Sequence, residues 1–102
     1  IVGRIKDMII RGGENIYPAE IENVLVAHPN IVEAGVCGIE DERWGQVPAA
    51  FIVVSKSTSE KEIRKFCEKH LASYKVPKKV YFVEKLPRNG SNKLVRRKLK
   101  EE

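Results

Sequence analysis

Residues 59–71 carry the pattern that most constrains the fold. Ser59-Glu60-Lys61-Glu62 has the form of a helix capping box, a hydroxyl residue followed three positions later by a glutamate. Ile63, Phe66, Cys67, His70 and Leu71 then fall at i, i+3, i+4, i+7 and i+8, one apolar stripe on an otherwise charged helix. A helix of this kind needs a flat apolar partner to cover its stripe. Ala49 to Ser55 (AAFIVVS) is an apolar run of strand length, rich in β-branched residues, and reads as a central strand of a sheet on which helices pack.

The rest of the chain fits around this pair. Residues 3–17 read as a β-hairpin, with Ile5, Met8, Ile9 and Ile10 as strand positions and Gly12-Gly13 at the turn or bulge. A helix follows from Pro18, a residue suited to a first helical position. Glu20 and Glu22 lie early in it, and Ile21, Val24, Leu25 and His28 form its stripe until Pro29 stops it. Ile31 to Ile39 is a strand, with Val32, Ala34, Val36 and Gly38 on one face. Val80 to Val83 is a third sheet strand, and Lys93 to Glu102 reads as a short basic helix resting on Leu94, Val95 and Leu99. The fold class is α+β: an N-terminal β-hairpin, then a small, mainly antiparallel three-stranded sheet with helices packed on it.

A chain of 102 residues makes one domain, with room for one modest core but not for a large enclosed active site. The longest apolar run, Val47 to Val54, is broken by Pro48 and falls far short of a membrane span. Cys37 and Cys67 sit apart in apolar patterns. No C-x-x-C occurs, which argues against a disulfide framework or a structural zinc site and for a cytoplasmic setting. The chain opens on Ile1 with no initiator Met and no signal-peptide pattern, so a piece of a longer protein is expected. The net charge of +5 is unevenly spread. Residues 1–60 hold 5 Lys/Arg against 9 Asp/Glu, and residues 61–102 hold 14 against 5. A basic half implies either a phosphate-bearing partner or a solvated lysine-rich surface.

No self-contained catalytic set is present: there is no G-x-S-x-G, no H-E-x-x-H and no phosphate loop. His28 and His70 lie on helical stripes, where packing at the core edge is expected. Three loops carry more unusual chemistry. In Arg11-Gly12-Gly13-Glu14-Asn15 the glycines permit positive φ or close approach of a ligand, although a plain turn would use them too. Tyr74 with Lys75, Lys78 and Lys79 combines an aromatic with cations that suit a nucleotide and its phosphates, or else simply faces solvent. Arg88-Asn89-Gly90-Ser91-Asn92-Lys93 sets a lysine beyond a turn, where its charge can reach into another domain or remain solvated.

Taken in order, these segments resemble the C-terminal domain of adenylate-forming enzymes, the superfamily of acyl- and aryl-CoA synthetases, luciferases and peptide-synthetase adenylation domains. The resemblance rests on Gly3-Arg4-Ile5-Lys6-Asp7-Met8-Ile9-Ile10-x-Gly12-Gly13-Glu14-Asn15-Ile16-Tyr17-Pro18-x-Glu20-Ile21-Glu22, then His28-Pro29 and Asp41-x-x-Trp44-Gly45-Gln46-Val47-Pro48. Tyr74-Lys75-Val76-Pro77-Lys78 and Leu86-Pro87-Arg88-Asn89-x-x-Asn92-Lys93 complete it. It covers essentially the whole chain. The G-G-E-N-I-Y-P and W-G-Q-V-P forms are most similar to those of bacterial acyl-CoA and o-succinylbenzoate or other aryl-CoA ligases.

The resemblance implies a single mobile domain over residues 1–102, with residues 1–7 as the hinge region. Its own N-terminal domain, absent from this chain, would bind ATP, Mg²⁺ and the acid, and would mediate any oligomerisation. The implied reaction has two halves. A carboxylate attacks the α-phosphate of ATP to give acyl-AMP and pyrophosphate; after the small domain rotates, the CoA thiol attacks the acyl-AMP. Lys93 matches the adenylation lysine, Lys6 the hinge and Arg4 a residue near the nucleotide. Gly12, Gly13, Glu14 and Trp44 match the CoA/pantetheine tunnel, and Tyr74, Lys75 and Lys78 the CoA nucleotide and its phosphates. Val76 stands where some relatives place an arginine for a CoA phosphate, and Asn92 replaces the glycine usual before the lysine. The fragment by itself is expected to be inactive in adenylation and to bind no metal. A carrier protein as acceptor, or a stand-alone basic nucleic-acid or anion-binding module, are the alternatives.

Overall fold

The computed structural model describes residues 8–91, 93–95 and 98–99. Its centre is the apolar run foreseen as a central strand. We label the strands β1 (Ile9–Arg11), β2 (Glu14–Ile16), β3 (Ile31–Asp41), β4 (Gly45–Val54) and β5 (Lys79–Phe82), and the helices α1 (Pro18–Val26) and α2 (Glu60–His70). β3 and β4 form a long antiparallel ladder from Ile31↔Val54 to Asp41↔Gly45. β1 and β5 pair with β4 as well: β1 meets it antiparallel at Gly45, and β5 runs parallel to Ala49–Ile52. β2 completes the sheet on β1.

The α+β class is as expected, with one difference in the architecture. The hairpin and the three-stranded sheet are not separate: the Arg11↔Gly45 pairing joins them into one five-stranded sheet. Tertiary pairing of this kind leaves no local trace in sequence. β5 is parallel because the chain crosses back over the sheet through α2 before it forms.

Both sheet faces are covered. On one, Val36, Ala50, Ile52 and Val80 pack with Ile21 and Leu25 of α1 and Ile63 and Cys67 of α2. Full burial of one such Ile or Leu side chain contributes about 1.5–3 kcal/mol. On the other, Cys37, Ala49 and Phe51 pack against Leu86 and Leu99, with Leu94 partly buried beside them. Gly35 is glycine for this contact, since a Cβ there would lie 3.2–3.3 Å from Leu99 and Leu94.

The helices form where their end signals stand. Ser59 Oγ accepts the Glu62 N–H at 3.1 Å, and Lys69 and His70 occupy the last turn of α2, favourable to the helix dipole. His28 lies just past α1 and is buried, with Nδ1 accepting the Asn30 N–H and Nε2 3.3 Å from the Glu62 carboxylate. His70 is exposed, its ring 4.7 Å from Phe66. Two local expectations change. A register shift between Ile31 and Glu33 turns Val32 out to solvent. Lys93–Val95 are not helical: Leu94 bridges Arg88, and the Val95 N–H donates to Pro87 O.

Candidate functional site

The glycine loop and the tryptophan loop meet at one end of the sheet. The chain leaves β3 at Asp41 and re-enters β4 at Gly45, whose φ of +85° closes the three-residue connection. Asp41 Oδ1 accepts the N–H groups of Arg43 and Trp44 at 2.9 and 3.0 Å, which sets the turn. The turn presents the Trp44 carbonyl to the Gly12 N–H at 2.7 Å. Gly12 has φ +63°, and a Cβ on it would stand 3.1 Å from Trp44 Cε3, so its glycine is required twice over. Gly13 differs: its φ lies outside the left-handed region and nothing stands within 4 Å of where its Cβ would be. Glu14 is exposed beside it. The guanidiniums of Arg11 and Arg43 lie 4.1 and 4.9 Å from the Trp44 ring, within cation–π range.

Lys78 belongs to the same end. Its N–H donates to Pro48 O, and its ammonium lies 3.5 Å from Asp41 Oδ2. The Trp44 N–H, then the Arg43 N–H and the Lys78 charge, hold the Asp41 carboxyl below its ordinary value despite some desolvation. A cleft of about 500 Å³ opens alongside, lined by Arg11, Lys61, Arg64, Lys65 and Lys78, with Glu68 opposing them. Lys75 is placed differently. Its ammonium is bound by both carboxylate oxygens of Glu20, at 2.9 and 3.1 Å, and this hydrogen bonding raises its pKa. Tyr74 lies beside it, the ammonium 5.6 Å from the ring.

Lys93 stands elsewhere. Its backbone closes a turn stapled by Asn89, whose Oδ1 accepts the N–H groups of Ser91 and Lys93 at 2.9 and 3.1 Å. The Lys93 residue is exposed, and Arg88 anchors the loop through Glu33 at 2.6 Å. Glu33 is near the start of β3 and Asp41 at its end. The eight residues of extended strand between them span about 26 Å. The structure thus gathers Gly12, Gly13, Glu14, Trp44 and Lys78 at one end and sets Lys93 toward the other. Arg4 and Lys6 lie outside the described residues.

Sequence reasoning missed several members of this site. Arg11 and Arg43 were not seen as partners of Trp44, nor Lys61, Arg64 and Lys65 as cleft cations, nor Glu20 as the partner of Lys75. The Asp41-x-x-Trp44 spacing does carry a local signal, that of an aspartate accepting from backbone two and three residues on. Among the described residues no group of three or more His, Cys, Asp or Glu is placed to hold a metal, and no helix is long and apolar enough to cross a membrane.

Residues 20–93 match the AMP-binding enzyme C-terminal domain family. The chain is 62% identical over 100 residues to the 2-succinylbenzoate–CoA ligase of Bacillus mycoides, a match covering 98% of this chain and 21% of that protein. Among solved structures, it is similar to o-succinylbenzoate CoA synthetase of Bacillus subtilis in complex with its acyl-adenylate intermediate. The TM-score is 0.95 at 52% identity, over 97% of this chain and 20% of the other. A fatty acyl CoA synthetase of Mycobacterium tuberculosis matches with TM-score 0.93 and 48% identity, over 99% and 20%. The chain spans about a fifth of the length of these relatives.

Proposed function

The chain belongs to the AMP-binding enzyme C-terminal domain family, and on that footing we propose that it is the mobile C-terminal domain of an ATP-dependent, AMP-forming acid–CoA ligase. One observation carries the reading: the glycine–tryptophan–Lys78 end lies at Asp41 and the Lys93 loop over Glu33 and Gly35, six to eight residues or about 20–26 Å apart along β3. One docked pose cannot bring both to a single active site. A two-step reaction in which the domain turns between steps uses each end once.

In the first step Lys93 reaches the carboxylate and the α-phosphate of ATP, where its ammonium offsets the charge that develops. Its exposure and the Asn89 staple suit a side chain held out from its own domain. In the second step the glycine loop lines the path of the pantetheine thiol. Gly13 fits that task, because its own fold gives no reason for a glycine there. The cations around the cleft suit an acceptor bearing several phosphates, as CoA does. Residues 1–7, with Lys6, would form the hinge, and Arg4 would approach the nucleotide. ATP, Mg²⁺ and the acid would be held by the N-terminal domain, and any oligomer would form through it. The domain's partners are that N-terminal domain, acyl-AMP and CoA; nucleic acid has no part in this reading. We place the protein in the cytoplasm, where ATP and CoA are supplied. 2-Succinylbenzoate, the acid named for the Bacillus relatives, is the first substrate to test, and fatty acids the second.

The test separates the half-reactions in the full-length polypeptide. Lys93→Ala is expected to lower acid-dependent ATP–pyrophosphate exchange by about 10²- to 10³-fold, the loss typical of a preorganised charge-stabilising group. Thioester formation from supplied acyl-adenylate should persist. Equal loss of both steps would refute the reading.

A further inference from the structure

Asp41 is the point on which the parts of the glycine–tryptophan end converge. One carboxylate oxygen accepts the Arg43 and Trp44 N–H groups, and the other faces the Lys78 ammonium at 3.5 Å. Through the Trp44 carbonyl, which takes the Gly12 N–H at 2.7 Å, the same turn fixes the glycine loop. Three segments distant in sequence are thus held by one side chain. The two oxygens have different duties. The first shapes backbone, which a neutral amide oxygen does as well. The second neutralises a cation, which requires the negative charge.

We infer that Asp41 is a positioning residue for the thioester step: Oδ1 holds the Trp44 turn against the glycine loop, while Oδ2 holds Lys78 until a phosphate of the incoming thiol substrate displaces it. The inference rests on the ligase reading above. The displacement is feasible because the Lys78–Asp41 pair is partly solvated. The Lys78 side chain is 56% exposed, and ion pairs of that kind are weak. A phosphate bearing more charge and more acceptor oxygens competes well for the same ammonium. Releasing Lys78 costs the turn nothing, since Oδ1 keeps its two backbone bonds. Asp41 would thereby keep Lys78 in place between turnovers without sequestering it.

Asparagine and alanine separate the two duties. Asp41→Asn keeps an oxygen for the turn and removes the charge; Asp41→Ala removes both. Full-length enzymes would be assayed in the thioester step from supplied acyl-adenylate, with CoA and with pantetheine, which has the thiol but no phosphate. Asp41→Ala is expected to raise KM for pantetheine by about tenfold, the loss of the two hydrogen bonds that set the turn, and KM for CoA by about two- to fivefold, since the freed Lys78 offsets part of that loss. Asp41→Asn should leave pantetheine kinetics at the wild-type level and lower KM for CoA by about two- to fivefold, the worth of an exposed ion pair. Pyrophosphate exchange and thermal melting report whether each variant has folded. A second measurement does not depend on the chemistry. Trp44 is the single tryptophan of this chain, and its emission should shift in Asp41→Ala and not in Asp41→Asn.

The inference is overturned if the two variants behave alike with pantetheine, if Asp41→Asn fails to tighten CoA, or if Asp41→Ala matches wild type. Should the wild-type enzyme form no thioester from any acid tested, the ligase reading fails instead. The emission comparison then still decides whether Asp41 sets the Trp44 turn.

Discussion

Replacing Gly12 and Gly13 one at a time by alanine separates a glycine that the fold needs from one that it does not. At Gly12 the backbone has φ +63°, where an L-residue costs about 1–2 kcal/mol. The new methyl would also stand 3.1 Å from Trp44 Cε3, and the ring is packed beneath Arg11, so it cannot retreat freely. Against this, alanine lowers the entropy of the unfolded chain, a gain of about 0.4–1 kcal/mol. The net loss is about 1 kcal/mol from the backbone, with the ring contact added to it. At Gly13 neither penalty applies, and only the unfolded-state gain remains. For a domain of this size 1 kcal/mol moves Tm by about 4–8 °C. Thermal unfolding followed by circular dichroism should therefore show Gly12→Ala melting about 4–8 °C or more below wild type and Gly13→Ala at or slightly above it. Equal shifts in the two variants, or a neutral Gly12→Ala, would refute the reasoning. With folding intact, Gly13→Leu in the full-length enzyme then tests function: adenylation should continue and thioester formation should fall.

Other outcomes follow from the titrations and burial. The Asp41 carboxyl is held below its ordinary value, so the stability it lends the Trp44 turn is present above that value and is lost as pH falls through the lowered one; Trp44 emission should hold through pH 5 and change only in stronger acid. Lys75 has the opposite sign. Its pKa is raised by Glu20, so the tie between α1 and the Tyr74–Lys78 loop is complete at neutral pH and fades as pH rises through the raised value; Glu20→Gln should remove this alkaline transition in a pH-dependent melt. Burial pushes the Cys67 thiol up to about 11, so at pH 8 it should resist iodoacetamide in the folded chain and react only after denaturation, which mass spectrometry would count.

What could be read in the sequence was what local chemistry writes there. α2 was visible because Ser59 and the Ile63–Leu71 stripe state its start and its buried face, and β4 because six apolar residues in a row, Ala49–Val54, suit a strand covered on both sides. The joining of the hairpin to the sheet was not visible, because it depends on one pairing, Arg11↔Gly45, between residues far apart in sequence. Lys93–Val95 misled in another way. Leu94, Val95 and Leu99 have helical spacing, but Asn89 offers its side chain to two backbone donors and draws the segment into a turn. Propensity lost there to a side-chain staple that the residue pattern does not advertise. The site divides along the same line. Gly12, Gly13, Asp41, Trp44, Lys78 and Lys93 come forward through motif order, whereas the pairing of Asp41 with Lys78, the stacking of Arg11 on Trp44 and the α2 cations depend on where the sheet puts them.

The basic half of the chain shows why placement matters more than sum. Among the described residues its positive charge is not one patch. Lys61, Arg64, Lys65 and Lys78 line the cleft at the glycine end with Arg11 from the acidic half, while Arg88 and Lys93 belong to the loop anchored at Glu33. Glu20 binds Lys75 and removes it from either group. A polyanion binder would gain by merging such charges on one face, since its affinity grows with each phosphate neutralised together. Here the sheet holds them apart by six to eight residues of β3, about 20–26 Å, which is two to three Debye lengths at physiological salt. In the function proposed above each cluster acts on its own anion, and a domain that serves two anionic states of one reaction in turn needs its cations divided in this way.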